Sequence, residues 1–314
     1  MCLMQLEPVY KEYLWGGNKL IEQYHKPYSG ERLAESWELS CHGNGMSYVK
    51  SPAGERETLE EFLNWNGRKV LGEACRPLLD FPILIKYIDA KEPLSVQVHP
   101  DDAYSLEHEH QYGKTEMWYI LECNPGAWIY YGFSRKTDRA EVKARIENGT
   151  LPEILNKVYV KPGDSFLINA GTIHAIGKGI VLAEIQQNSD VTYRVYDYER
   201  TDQQGNQREL HIDRALDVLH YDSADEDQAV FGKEYEHCLV DSRYFKVFHK
   251  KIEGIYRDQV KDESFVCLMV TEGHGEIRMK EQILKAVKGQ SYFMEAGSDV
   301  YELEGQMEIL YICM

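Results

Sequence analysis

The sequence contains no C-x-x-C pair. Its seven cysteines (Cys2, Cys41, Cys75, Cys123, Cys238, Cys267 and Cys313) stand singly along 314 residues. An odd, dispersed set in a chain of this size argues against a disulfide framework and against a thiolate zinc site, so free packing thiols are expected. Long apolar runs are also missing: none approaches the roughly 18 to 20 residues that span a bilayer. Residues 1–10 lack the basic start and apolar block of a secretory signal. The expectation is a soluble, cytoplasmic protein. Basic residues are scarce, with 35 lysines and arginines against 52 acidic residues and a net charge of −17. Nucleic acid and anionic membranes are therefore not expected partners, because both need a concentrated basic face. An anionic small molecule would need local positive charge held against the field of the whole chain.

What the chain does have is alternation. Leu94 to His99 reads Leu-Ser-Val-Gln-Val-His, a β-branched alternating run that puts Gln97 and His99 on one strand face and Val96 and Val98 on the other. The N-terminal segment is aromatic and glycine-rich without periodicity, and Gly16, Gly17, Gly43 and Gly45 suggest turns between short strands. A helix is expected over residues 58–65, where Thr58 and Glu61 form a capping box. Others are expected over Arg139–Glu147 between Thr137 or Asp138 and Gly149, and over 213–220, while residues 101–110 read as a helix capped by Asp101 or Asp102 or as a loop insertion. Strands are expected at 81–88, 116–122, 127–131, 157–160, 165–168, 180–185 and 192–196. The acidic stretch 221–228 reads as a linker. Beyond it lie short strands at 236–240, 245–252, 265–271, 275–279, 291–294, 300–304 and 307–313, separated by glycine turns. Such spacing predicts an all-β sandwich or barrel.

An internal repeat points to two barrels. KPGDSFLINAGTIHAI, from Lys161, matches KGQSYFMEAGSDVYEL, from Lys288, pairing Phe166 with Phe293 and Ala170-Gly171 with Ala296-Gly297. His174 then falls opposite Val300, so the second copy keeps the fold signal without the histidine.

Gln97, His99, Glu116 and His174 together offer two imidazoles, a carboxylate and an amide oxygen. That donor set suits zinc and accepts other divalent metals. A lone histidine is usually a surface or satisfied core residue. Here the candidates sit on separate strands and one pair has i, i+2 spacing, which favours a site.

Gly163 followed by Asn169-Ala170-Gly171-Thr172-Ile173-His174 resembles the second cupin motif, with Asn169 where that motif has proline. VQVHPDD, GKTEMWYI, AGTIHAIGKG and QQNSDVTYRVYDYER, in that order, resemble the type I mannose-6-phosphate isomerases, from Tyr10 to about His211. The resemblance implies a mainly β protein of two jelly-roll (cupin) barrels with a few short helices. It is that of the short bacterial form, without a separate helical domain. Its implied domains are 1–220, a catalytic cupin domain, and 229–314, a cupin-like barrel without a metal site. It implies one zinc ion per chain on Gln97, His99, Glu116 and His174, with Arg194, Lys114 and Glu184 as catalytic residues.

The implied activity is interconversion of mannose 6-phosphate and fructose 6-phosphate through an enediol. That exchange needs an electrophile for the developing oxyanion and a base for the carbon-bound proton. Arg194 could hold an enediolate or the phosphate. Lys114 and Glu184 are rival proton carriers, and the residues leave the choice open. Glu184 also lies in the apolar stretch 180–185, where a carboxylate is costly unless paired or functional. Arg200 is a second candidate for the phosphate. Asp101 and Asp102 read as caps, and Tyr193, Tyr196, Tyr198, Trp15 and Trp37 as packing residues. Two other classes compete: an iron-dependent cupin dioxygenase, which holds its metal on two histidines and one carboxylate and against which Gln97 and Arg194 argue, and a cupin that binds a sugar phosphate without converting it.

Overall fold

The computed structural model describes residues 3–50, 56–201, 204–224, 229–230 and 237–314. Strands dominate, as the alternation predicts, and the chain forms two jelly-roll barrels with a few short helices and no separate helical domain among the described residues. It divides into two compact units. One comprises Met1–Lys11, Asn18–Tyr87 and Lys233–Met314, and the other Glu12–Gly17 and Ile88–Gly232.

The second unit carries the candidate site. One of its sheets runs Leu155–Tyr159, Trp128–Phe133, His174–Ile176, Val96–Val98 and Tyr193–Tyr196 in spatial order. Facing strands Ser165–Ile168, Glu116–Cys123 and Ile180–Gln187 pair antiparallel. Val96 and Val98 are fully buried in an apolar cluster with Phe133, Val142, Ile173 and Val195. The period of two then turns Gln97 and His99 to the opposite face. Helix Asp102–His108 is capped by Asp101, and helix Arg139–Glu147 by Asp138, each accepting a backbone N–H of its first turn.

In the first unit the sheet order is His237–Asp241, Lys246–Gln259, Val300–Cys313, Val266–Met279, Ser291–Met294, Leu3–Glu7, Tyr48–Lys50 and Arg56–Thr58. The capping box forms as read: Thr58 accepts from the Glu61 N–H, and the Glu61 carboxylate accepts from the Thr58 N–H. Two expectations are corrected here. The breaks read at 272–274 and 305–306 are not turns, because Val266–Met279 and Val300–Cys313 each run unbroken for 14 residues. Gly275 and Gly305 pair across the strands, and a Cβ on Gly305 would lie 2.6 Å from the Gly275 Cα. Glycine marks a close backbone approach rather than a turn. The repeat also shifts by one residue. Ser165–Ile168 and Ser291–Met294 correspond strand for strand, which sets Tyr292, not Phe293, against Phe166. His174 and Val300 each open the following strand. Part of the expected linker, 225–228, and residue 236 lie outside the described residues.

The first unit also buries an ion pair that sequence reading missed. Lys26 Nζ donates to Glu38 Oε1 at 2.6 Å and to the Gly289 carbonyl. Ser36 and Ser291 hydroxyls donate to the same carboxylate at 2.5 and 2.9 Å. All four side chains are buried, so neither charge can turn to water. Lys26→Met is expected to leave Glu38 uncompensated and to destabilise the fold by about 3–5 kcal/mol in urea unfolding. A loss below about 1 kcal/mol would mean that the carboxylate is satisfied without its lysine.

Candidate metal centre

Three adjacent strands place a row of side chains on one face. His174 pairs with Gln97, and Gln97 pairs on its other side with Arg194. His99 follows two residues after Gln97 on that face. Glu116 begins the strand Glu116–Cys123. The three groups meet: one ligand atom each from His99, Glu116 and His174 lies within 4.8 Å of the others, and all three residues are buried.

Both imidazoles are fixed in one tautomer. His99 Nδ1–H donates to the Val191 carbonyl and His174 Nδ1–H to the Thr172 carbonyl, each at 2.8 Å. A carbonyl only accepts, so each Nε2 keeps its lone pair. His99 Nε2 lies 3.5 Å from Glu116 Oε2, and His174 Nε2 lies 3.4 Å from Glu116 Oε1. Burial holds His174 far below the usual histidine range, at about 3, so its ring is neutral at physiological pH. Glu116 Oε1 is buried and accepts no hydrogen bond. The His174 lone pair thus faces a buried carboxylate oxygen that accepts no hydrogen bond, an arrangement that is unfavourable unless a cation joins them. Neutral imidazoles and an ionised carboxylate are the forms a divalent metal requires. This buried His–Glu–His group can hold a metal ion.

Gln97 and Lys114 complete the surroundings. The Gln97 amide reaches His174 Nε2 at 3.4 Å, and turning the amide over would present its oxygen at the same place. Lys114 Nζ lies 3.0 Å from His99 Nε2 and donates to Glu116 Oε2. An ammonium therefore already sits where two of the lone pairs converge.

Glu184 stands opposite Trp118, one alternation along from Glu116. Its Oε2 accepts from Trp118 Nε1 at 2.9 Å, and the Trp118 ring meets the His174 ring edge-on with centroids 5.3 Å apart. It thus faces the centre through Trp118. Arg194 is half-buried, its Nε donating to Ser95 Oγ at 3.2 Å and its Nη1 to the Glu209 carbonyl at 2.9 Å. Burial and then the charge of Arg208 lower its pKa, so this guanidinium would gain from an anion. Arg200 is held elsewhere: its guanidinium binds the Asp197 carboxylate and the Pro93 carbonyl. Trp15 is a buried packing residue stacked on Tyr13, as expected.

Asp102 is not a cap. Its Oδ1 accepts from the Gly113 N–H and from Gln187 Nε2, both at 2.9 Å, while Gln187 Oε1 accepts from the Thr115 N–H at 2.9 Å. Lys114 N–H donates to the Pro100 carbonyl at 3.0 Å. A Cβ on Gly113 would lie 2.4 Å from the Asp101 carbonyl carbon, so only glycine lets the loop close there. Asp102 and Gln187 thus clamp the residues on either side of Lys114 and aim it at the centre. Their only trace in the sequence is a polar pair, Gln186-Gln187, ending an apolar strand.

The barrels define a cupin, and its buried His–Glu–His group is a candidate metal site. The profile of the family "Phosphomannose isomerase type I, catalytic domain" matches residues 3–119, and "Mannose-6-phosphate isomerase, cupin domain" matches residues 235–314. The chain is 37% identical over 309 residues to mannose-6-phosphate isomerase ManA of Bacillus subtilis, covering 97% of this chain and 96% of that protein. It is 37% identical over 301 residues to the mannose-6-phosphate isomerase of Streptococcus mutans, covering 95% and 93%. The crystal structure of the mannose 6-phosphate isomerase from Bacillus subtilis superposes with a TM-score of 0.88 at 33% identity, covering 99% of both chains. The chain belongs to the type I phosphomannose isomerase family.

Proposed function

We propose that this protein interconverts mannose 6-phosphate and fructose 6-phosphate in a metal-dependent reaction through an enediol. The observation that supports the metal dependence is the gathering of His99, Glu116 and His174 within 4.8 Å, with the His174 Nε2 lone pair facing a Glu116 Oε1 that has no hydrogen-bond partner. His99, Glu116 and His174 would hold the ion, with the Gln97 amide as fourth donor, and zinc suits this set. When bound, the ion supplies Lewis acidity toward a substrate oxygen.

The remaining work falls to side chains around it. Proton transfer between adjacent carbons needs a group within hydrogen-bond reach. Lys114 is the better placed carrier, because it touches His99 and Glu116 directly, whereas Glu184 reaches the centre through Trp118. Glu184 then holds the Trp118 indole against the His174 ring. Arg194 holds the substrate's negative charge, either the developing enediolate or the phosphoryl group, with the guanidinium N–H groups not used by Ser95 and Glu209. We assign catalysis to the unit of Glu12–Gly17 and Ile88–Gly232, rather than to all of 1–220, and a structural role to the barrel of 229–314, where Val300 stands in place of His174. A cytoplasmic location agrees with a phosphorylated substrate, and no helix among the described residues is long and apolar enough to cross a membrane.

A coupled assay of fructose 6-phosphate formation from mannose 6-phosphate tests this reading. Chelation is expected to remove turnover and zinc to restore it. Metal-loaded protein without turnover would leave a sugar-phosphate binder in place of an enzyme.

A further inference from the structure

Arg194 lies on Tyr193–Tyr196, the edge strand of its sheet. The outward N–H and C=O groups of an edge strand need partners, and an edge residue is otherwise free to shift. At Arg194 one residue takes both. The Arg194 N–H donates to His211 Nδ1 at 3.3 Å, and the His211 N–H donates to the Arg194 carbonyl at 2.8 Å. Two residues earlier, the Glu209 carbonyl accepts from Arg194 Nη1. His211 is itself anchored, since it opens the helix Ile212–Val218, whose Ala215 and Leu216 are buried in the apolar cluster beneath the sheet. The strand register shifts just past Arg194, between Arg194 and Tyr196, and such irregularities re-aim side chains.

We propose that His211 is a positioning residue for Arg194: its ring nitrogen and backbone N–H lock the arginine's backbone on the open sheet edge. The Glu209 carbonyl then steers the guanidinium over the face that carries Gln97 and His174. The ring acts as an acceptor, which requires a neutral imidazole. Burial and the Arg194 charge favour that form against the opposing charge of Glu209. This inference rests on the reading of Arg194 as the residue that holds substrate charge.

The test compares His211→Ala, His211→Asn, Arg194→Ala and the double variant, all zinc-loaded, in the mannose 6-phosphate assay. Asparagine places a side-chain oxygen near the position of Nδ1 and can accept the same hydrogen bond. His211→Ala is expected to change the same parameter as Arg194→Ala, kcat or KM. The loss should be on the order of ten- to a hundredfold, the scale of a misplacement of about an ångström. Zinc content should be unchanged, His211→Asn should recover most of the activity, and the double variant should be no worse than Arg194→Ala. Should His211→Ala not fold, His211→Gln, whose oxygen sits one bond too far out, is expected to show the same loss. Unchanged kinetics in His211→Ala, no recovery in His211→Asn, or additive losses in the double variant would each overturn the proposal. Wild-type turnover with an unaffected Arg194→Ala would refute the role of Arg194 and this inference with it. A wild type without turnover would refute the isomerase reading itself.

Discussion

His174→Ala is expected to lose bound metal and turnover together. His174 contributes one of two imidazole lone pairs, and its ring is held in the ligating form by burial and by the Thr172 carbonyl. Alanine removes the donor and leaves Glu116 Oε1, already without a hydrogen-bond partner, facing a void. Disturbing only the groups that orient a metal-bound histidine costs about 10- to 100-fold in affinity, so removing the ligand should cost more. Metal analysis after dialysis and the coupled assay should fall in parallel, with far-UV circular dichroism unchanged. A variant that kept stoichiometric zinc would show that His174 is not a ligand.

Arg194→Ala is expected to separate the two properties. Its guanidinium touches Ser95 Oγ and the Glu209 carbonyl but none of His99, Glu116 or His174, so zinc should be retained. Turnover should drop by about 10²–10³-fold, the usual effect of removing one preorganised donor from a developing oxyanion. Arg194→Lys should recover little, because an ammonium lacks the planar fork and the Nε–H that Ser95 holds. If Arg194→Ala lost its zinc, the arginine would belong to the metal site and its assigned role would be wrong.

The residues that meet at the candidate site were legible because their chemistry is carried by residue type and by the period of two. Val96 and Val98 announce which face of the strand is core, and Gln97 and His99 follow from that. Glu116 and His174 are distant in sequence, and their motifs, not periodicity, tied them to the same centre. The groups that orient the site were not legible. Val191 and Thr172 act through backbone carbonyls, which any residue type carries. Asp102 looks like a helix cap because caps and loop clamps use the same carboxylate, and its partner Gln187 is 85 residues away. His211 is invisible for the same reason, since only folding brings it beside Arg194. In the first unit, Gly305 reads as a turn because glycine serves turns and close backbone approaches alike. Lys26 and Glu38 look like two surface charges until the strands that cover them are in place.

The most direct measurement is a zinc titration of metal-free protein, following bound metal and mannose 6-phosphate turnover in the same samples. Turnover is predicted to rise in proportion to zinc bound at the His99–Glu116–His174 group and to level off when that group is filled, about one equivalent per chain. Full turnover before zinc is added, or no turnover with the group saturated, would contradict it.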